Sequence, residues 1–227
     1  MKLLSVFCCT TILALCSIHR TDAWFWGRSS SSRTTAWSSG SYSLSTYVDC
    51  YGDIDVLSPT GKGRGGVNAS QNAVRARLTE LNRIKRCSEQ IARDNCIPAS
   101  VVGAIASRGS NGGASLDSRG YGDNGNGYGI MQCDVNTSGL RCTSCLPRSC
   151  CHVTMMIKQK LIPDIKAVAR KHPSWSKARQ LQGAVAAYNF GVSNVQSWGG
   201  LDRGSTGNDY SNDVIARAQY LRTQGWS

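Results

Sequence analysis

Apolar residues recur at three- and four-residue steps in the first half of the chain, which is the period of an amphipathic α-helix. From Ser70 onward this spacing places on one face Val74, Leu78, Leu81, Ile84 and Ile91. A second helix is predicted to begin at Pro98, since proline is favoured in a first turn, and to end near Ser107. The pattern therefore predicts two consecutive helices before the chain becomes rich in glycine.

The second half of the chain shows the same period in three further segments. Residues 153–171 form one predicted helix, which Pro163 should kink or divide because proline lacks the N–H that a helix interior needs. A helix over residues 176–189 is followed by Gly191, a residue suited to closing a helix. The last helix is predicted from Asp209 to about Thr223, with an inward face made of Val214, Ile215, Ala218 and Leu221.

The segment from Gly109 to Gly129 is too rich in glycine to be helical. Residues 128–133 are predicted to form a short strand beside turns. The pattern thus predicts an α+β fold, mainly α, with a small glycine-rich β region in its first half.

The N-terminus has the layout of a secretory signal peptide. Lys2 precedes an apolar run from Leu3 to about Ile18, and a small-residue cleavage site follows, so residues 1–23 are predicted to be removed. The alternative is a buried N-terminal helix. Residues 24–47 are rich in Ser, Thr and Gly and predict a flexible leader. The domain is then expected over residues 48–227 of a secreted, extracellular protein.

Positive charge restricts the partners. The formal net charge of +12 falls only to +11 when Lys2, Arg20 and Asp22 leave with the signal peptide. A basic exported protein favours bacterial walls, acidic polysaccharides, membrane surfaces or nucleic acid. The sequence has no zinc-finger spacing, RNA-binding motif or Lys/Arg run, which disfavours nucleic acid. No later apolar run is long enough to span a bilayer, so we expect no stable membrane insertion. We also expect the protein to be a monomer.

Cysteine usage favours disulfides. The eight cysteines that follow the signal peptide are Cys50, Cys87, Cys96, Cys133, Cys142, Cys145, Cys150 and Cys151. An even number in an exported protein predicts a disulfide framework, whose pairing the spacing leaves open. The cluster from Cys142 to His152 is also compatible with a metal site, but an oxidising compartment favours disulfides over a metal.

Two patches carry candidate chemistry. Asp123 lies in a Gly/Asn-rich loop and Asp134 follows Gln132 and Cys133, an arrangement in which carboxylates can lie over a cleft. The alternative for such a loop Asp is a turn former. Tyr188 and Asn189 end a predicted helix and can stack on and hydrogen-bond a sugar; the alternative is a core tyrosine beside a capping amide.

Four segments together resemble the goose-type lysozymes. They are, in chain order, VDCYGDI (residues 48–54), YGDNGNGYGIMQCD (121–134), AVAAYNFGVSNV (184–195) and DYSNDVIARAQYLRTQGW (209–226). They lie in the order expected of that family and span residues 48–226. The resemblance implies a lysozyme-like fold and hydrolysis of the β-1,4 bond between N-acetylmuramic acid and N-acetylglucosamine in peptidoglycan, without a cofactor.

The resemblance also assigns roles to residues. Asp123 and Asp134 match the two acidic positions that orient or activate the attacking water. Tyr188, Asn189 and Gln132 match residues that line the substrate cleft. The resemblance also implies the family disulfide between Cys50 and Cys96.

One position departs from the family. Its members read Ser-Arg-Glu-Ser at the end of the second helix, where this chain reads Ser-Arg-Gly109-Ser. The family glutamate is the general acid, with a pKa raised by burial so that it holds a proton for the leaving oxygen. Glycine has no proton to donate. The only glutamates, Glu80 and Glu89, lie on the first helix, and Asp117 is the nearest acid along the chain.

Three functions are compatible with this sequence. The first is an antibacterial, bacteriolytic lysozyme with impaired catalysis, acting in innate immunity or in the digestion of bacteria. The second is a non-catalytic protein that binds peptidoglycan or chitin oligomers. The third is a cationic antibacterial protein that acts on membranes. The motifs favour the first two, because a membrane-acting peptide needs no cleft.

Overall fold

The protein is described by a computed structural model over Tyr51 and residues 53–226. All described residues belong to one compact unit, Tyr42–Ser227. The predicted signal peptide (1–23) and leader (24–47) lie outside the described residues, as does Cys50.

The described residues form a mainly helical domain with a small sheet, as the pattern predicted. Its α-helices are α1 (Gly66–Arg75), α2 (Leu78–Asn95), α3 (Ala99–Ser110), α4 (Cys150–Met156), α5 (Ile162–Lys171), α6 (Lys177–Phe190) and α7 (Tyr210–Thr223). Its strands are β1 (Tyr121–Gly122), β2 (Gly127–Tyr128) and β3 (Cys133–Asp134). No helix among the described residues is both long and apolar enough to cross a membrane.

The first predicted helix is two helices. The apolar period continues unbroken through Val74, Leu78 and Leu81, but the chain leaves the helical path at Arg77, whose φ is −131°. The Arg77 N–H donates to the Val74 carbonyl and closes a tight turn between α1 and α2. Both helices still bury this face, so hydrophobic periodicity alone did not reveal the break.

Helix α3 forms the centre of the core. Its residues Val101, Val102, Ala104, Ile105 and Ala106 are fully buried. It packs against α2 on one side and most extensively against α7 on the other. Only the last turn of α3 reaches the surface, where Gly109 is exposed. Because α3 is held by the core, the position of Gly109 at its end is fixed.

The predicted strand over residues 128–133 is wrong, because this segment is a hairpin turn. The three strands pair antiparallel in chain order, and Tyr128 at the end of β2 lies opposite Cys133 at the start of β3. Positive φ angles at Gly129 (75°) and Gln132 (52°) reverse the chain between them. An apolar run of this length is compatible with a strand or with a turn, and the positive φ at Gly129 makes it a turn.

The later helices confirm the predictions in outline. A π-helical turn, Ile157–Leu161, separates α4 from α5 directly before Pro163, so the expected division is present. Helix α6 begins after Ser176, whose side chain accepts the Arg179 N–H, and ends at Gly191 with φ 88°. Four inward residues of α7 are fully buried, namely Val214, Ile215, Ala218 and Leu221.

Disulfides, rather than a metal site, connect the cysteine-rich loop to the helices. The described pairs are Cys87–Cys150, Cys133–Cys142 and Cys145–Cys151. Within the described part of the chain, no cluster of His, Cys, Asp or Glu has the arrangement of a metal site. Cys96 is also disulfide-bonded, but its predicted partner Cys50 is outside the described residues, so that pairing remains a prediction.

Candidate active-site cleft

A cavity of about 400 Å³ opens between the end of α3, the hairpin and the end of α6. The structure brings every predicted site position except the Cys50–Cys96 pair to this cavity: Gly109, Asp123, Gln132, Asp134, Tyr188 and Asn189 all line it. Arg108, Lys160, Thr206 and Tyr210 line it as well. These positions come from the end of α3, the β region and the end of α6, and the fold places them around one cavity.

An ionic network anchors the end of α3 beside Gly109. Arg108 contacts the Asp209 carboxylate at 2.9 Å and the Asp213 carboxylate at 3.1 Å. Asp213 is fully buried and also accepts two hydrogen bonds from Arg217, which in turn donates to the Ser107 hydroxyl at 2.8 Å. Buried charges persist only when paired in this way, so the network holds the last turn of α3 against α7.

Sequence reasoning missed this network. Its signal was the spacing of Asp213 and Arg217, four residues apart on one helix face, which favours an ion pair. Arg108 beside Gly109 offered no such signal, because its partners lie about a hundred residues later in the chain.

Gln132 fills the floor of the cleft. Its amide nitrogen donates to the Gly129 carbonyl at 2.8 Å, and its side chain lies across the paired residues Gly122 and Gly127. A β-carbon at Gly122 would be 2.6 Å from the Gln132 Oε1, and one at Gly127 would be 2.3 Å from it. Both glycines therefore leave the space that the Gln132 side chain occupies.

Asp123 is the less constrained of the two cleft carboxylates. It is exposed and has a φ of 48°, and Asn124 follows with φ 54°. Such left-handed conformations are uncommon outside glycine, and they concentrate at functional sites. Its backbone carbonyl accepts from Asn126, while its carboxylate has no hydrogen bond or ion pair to a described residue. The carboxylate is thus free to bind water or a ligand.

Asp134 is held more firmly. One carboxylate oxygen accepts the backbone N–H groups of Asn136 (2.8 Å) and Thr137 (2.9 Å), and the other accepts the Thr137 hydroxyl. These hydrogen bonds, the hydroxyl's first, lower the pKa of Asp134 below its usual value. Asp134 is consequently ionised at neutral pH and also fixes the turn that follows β3.

Tyr188 and Asn189 are engaged in contacts within the protein. Tyr188 is only 8% exposed, and its hydroxyl donates to the Met131 carbonyl at 2.6 Å. Burial raises the pKa of Tyr188 well above its usual value, so the phenol stays neutral. The Asn189 amide donates to the Thr206 hydroxyl and accepts the Thr206 N–H. Both side chains therefore shape the cleft wall, and Tyr188 leaves little ring surface for a sugar.

Lys160 is a cleft residue that sequence reasoning missed. It lies in the π-helical turn, and its ammonium contacts the Asp164 carboxylate at 2.8 Å and the Ala187 carbonyl at 3.3 Å. Burial raises the pKa of Asp164, against the effect of Lys160. The Lys–Asp spacing of four residues was visible in the sequence, but its relation to the cleft depends on the fold.

No third carboxyl group lines the cavity among the described residues. Glu80 and Glu89 form ion pairs with Arg77 and Lys85 on the surface of α2. Asp117 accepts backbone N–H groups from Tyr121 and Arg119, which lower its pKa. A carboxyl group of lowered pKa does not hold a proton at neutral pH, so Asp117 has the wrong properties for a general acid.

Comparison with known proteins decides the family. A family model described as "Lysozyme g" matches residues 51–225. The chain is 36% identical over 194 residues to Lysozyme g of Struthio camelus, which covers 78% of this chain and 89% of that protein. The chain belongs to the lysozyme g family. Its similarity to Lysozyme g of Gallus gallus is 36% over 187 residues, with 78% of this chain and 86% of that protein covered.

A further relative of this lysozyme g family member is a longer protein. The "Glycine, glutamate and proline-rich protein" of Lottia gigantea is 44% identical over 196 residues, which covers 80% of this chain. The chain spans only 46% of that protein's length. The segment that the lysozyme g family model matches includes every residue that lines the cavity.

Proposed function

We propose that this protein is a secreted, antibacterial lysozyme g family member that binds bacterial peptidoglycan in the 400 Å³ cleft. The observation that carries the proposal is the convergence of Asp123, Asp134 and Gln132 on one cavity within the family match. The described disulfides agree with an exported protein. The net charge of +11 that remains after the predicted signal peptide is removed favours association with anionic cell walls.

We further propose that hydrolysis is impaired. Cleavage of a glycosidic bond by inversion needs one carboxylate that activates water and one carboxylic acid that protonates the leaving oxygen. The ionised Asp134 and the unpaired Asp123 suit the first task. Gly109 stands at the position where the family carries the acid, and the described cavity contains no replacement. Loss of general acid catalysis lowers the rate by about 10²–10⁴-fold.

The second candidate is a protein that binds peptidoglycan or chitin oligomers without cleaving them. The missing third carboxyl favours this candidate, because binding depends on the cleft walls rather than on a proton donor. The two candidates share one site and differ only in residual turnover.

Titration with soluble oligomers tests the proposed function. Calorimetry with muropeptide or chitin oligomers at moderate salt should show saturable binding, alongside very slow release of reducing ends from purified walls. No binding at millimolar oligomer, together with salt-sensitive binding to whole walls, would contradict the cleft and favour surface charge alone. The same experiment on anionic vesicles tests the membrane-acting alternative.

A further inference from the structure

Lys160 supplies a positioned cation inside the cleft. An ammonium group has three N–H donors, and two acceptors for them lie within the described chain, the Asp164 carboxylate and the Ala187 carbonyl. The side chain is 27% exposed and lines the cavity. One donor thus remains for an oxygen atom of a molecule bound there.

The ammonium is held in place before any ligand binds. Asp164 lies one helical turn further on with a side chain only 9% exposed, which fixes the ion pair against the protein interior. The Tyr188 ring lies on another side, with its centroid 5.7 Å from the Lys160 nitrogen. A cation fixed by three neighbours loses little conformational entropy when it contacts a ligand.

Lys160 is also the less compensated of the two cleft cations. Arg108 contacts two carboxylates, those of Asp209 and Asp213. Lys160 contacts one, and neither Asp123 nor Asp134 lies within ion-pair distance of it in the described structure. An anionic group entering the cavity therefore meets Lys160 as its available positive partner.

Carboxylates distinguish the two sugars of peptidoglycan. N-acetylmuramic acid carries a lactyl ether that ends in a carboxyl group, either free or extended by a peptide stem with carboxylates of its own. N-acetylglucosamine polymers have no such group. A charge-assisted hydrogen bond to a carboxylate is about twice as strong as one between neutral groups.

We infer that Lys160 is a substrate-binding residue that recognises a carboxylate of the muramyl unit and gives the cleft its preference for peptidoglycan over chitin. The inference rests on the proposed function of the cleft, since it assumes that a glycan occupies the cavity.

The test is calorimetric titration of the full secreted chain with three ligands. These are an uncharged N-acetylglucosamine tetramer, an alternating tetramer with free lactyl carboxylates, and the same tetramer with peptide stems. The unsubstituted protein should bind at least one carboxylate ligand about tenfold more tightly than the uncharged one. The stem-free and stem-bearing arms show which carboxylate is recognised.

The variants isolate the ammonium. Lys160→Met should abolish the preference while affinity for the uncharged tetramer stays within about twofold. The double variant Lys160→Met/Asp164→Asn avoids leaving the Asp164 carboxylate without its partner and should lose the preference in the same way as Lys160→Met. Lys158→Met is the matched control, because Lys158 is an exposed lysine of the same π-helical turn that does not line the cavity. It should keep the preference.

Each outcome separates the inference from the function on which it rests. An unchanged preference in both Lys160 variants, or an equal loss for all three ligands in folded variants, overturns the role of Lys160 and leaves the cleft intact. Failure of the unsubstituted protein to bind any of the three ligands contradicts the proposed function itself. Thermal melting of every variant establishes that it is folded.

Discussion

The Gln132 side chain lies directly beside Gly109, so that a β-carbon at position 109 would be 3.1 Å from the Gln132 Cγ. The same side chain lies across Gly122 and Gly127 on the hairpin. Gln132 therefore links the end of α3 to Gly122 of β1 and Gly127 of β2, on either side of the loop that carries Asp123. The shape of the cleft floor depends on this one amide and on the glycines around it.

Gly127→Ala should displace the Gln132 amide. The new β-carbon would be 2.3 Å from the Gln132 Oε1, so the side chain must move out of its site. We expect unfolding free energy to fall by about 1–3 kcal/mol and oligomer binding to weaken. Gly199→Ala is the control, because a β-carbon there meets no atom within 4 Å. Chemical denaturation and calorimetry measure both effects; equal behaviour of the two variants would contradict the account of Gln132.

Substitutions of the two cleft aspartates should affect the stability of the fold differently. Asp134→Asn weakens the hydrogen bonds to Asn136 and Thr137 and should lower unfolding free energy by about 1 kcal/mol. Asp123→Asn removes no hydrogen bond to a described residue and should change the melting temperature little. Neither substitution should affect binding of uncharged oligomers strongly, since these charges act mainly in the transition state. A larger decrease in melting temperature for Asp123→Asn than for Asp134→Asn would contradict the conclusion that Asp134 is the more firmly held of the two.

Tyr188→Phe tests the contact between α6 and the hairpin. The substitution leaves the Met131 carbonyl without its donor and should cost about 1–2 kcal/mol of stability. Tyr188→Ala should cost about 3–5 kcal/mol, because it also opens a cavity in the core. A folded Tyr188→Ala variant of unchanged stability that loses oligomer binding would instead support a sugar-stacking role. Thermal melts of both variants distinguish these outcomes.

Acid should destabilise the fold through His152. Its ring is fully buried with neither nitrogen hydrogen-bonded among the described residues, and burial lowers its pKa to about 4. The unfolded chain, with a pKa near 6.5, binds the proton more readily. Stability is therefore complete above pH 6.5 and falls by about 3 kcal/mol as the pH drops toward 4.

His152→Leu should flatten this pH dependence, as measured by the free energy of unfolding between pH 7 and 4. His172→Gln is the control, because the His172 Nε2 contacts the Val195 carbonyl at 2.9 Å and lies in a different part of the domain. It should keep the slope that His152 causes. An unchanged slope in His152→Leu would show that another group takes up the proton.

Helices α1 and α2 could be predicted from the sequence because they bury an apolar stripe with a helical period, although that period did not show the break between them. Helices α3 and α6 are instead buried over nearly every residue. Pro163 and Gly191 marked a division and an end for local reasons that need no knowledge of the fold. The hairpin at residues 129–132 could not be distinguished from a strand, since its apolar residues are compatible with both. Its reversal depends on the positive φ at Gln132, a residue that rarely adopts one.

The sequence pattern named the site residues as candidates and the resemblance assigned their roles, but their contacts came only from the fold. Sequence reasoning offered Tyr188 and Asn189 both as sugar contacts and as structural residues; the observed hydrogen bonds to Met131 and Thr206 are structural. Arg108 was not proposed, because its partner Asp209 is far from it in the sequence. Lys160 was not proposed, because only the fold places it at the cavity.

The proposal that the general acid is missing at Gly109 is tested most directly by turbidity clearance of bacterial cell walls. A β-carbon at position 109 needs only a shift of a few tenths of an ångström in the flexible Gln132 side chain, and position 109 lines the cleft. Gly109→Gln is the matched control, because it fills the same space without a proton to donate. We predict that Gly109→Glu clears walls about 10²-fold faster or more than the unsubstituted protein, while Gly109→Gln does not. Equal rates for all three proteins, well above a heat-inactivated control, would contradict the account and show that another group supplies the proton.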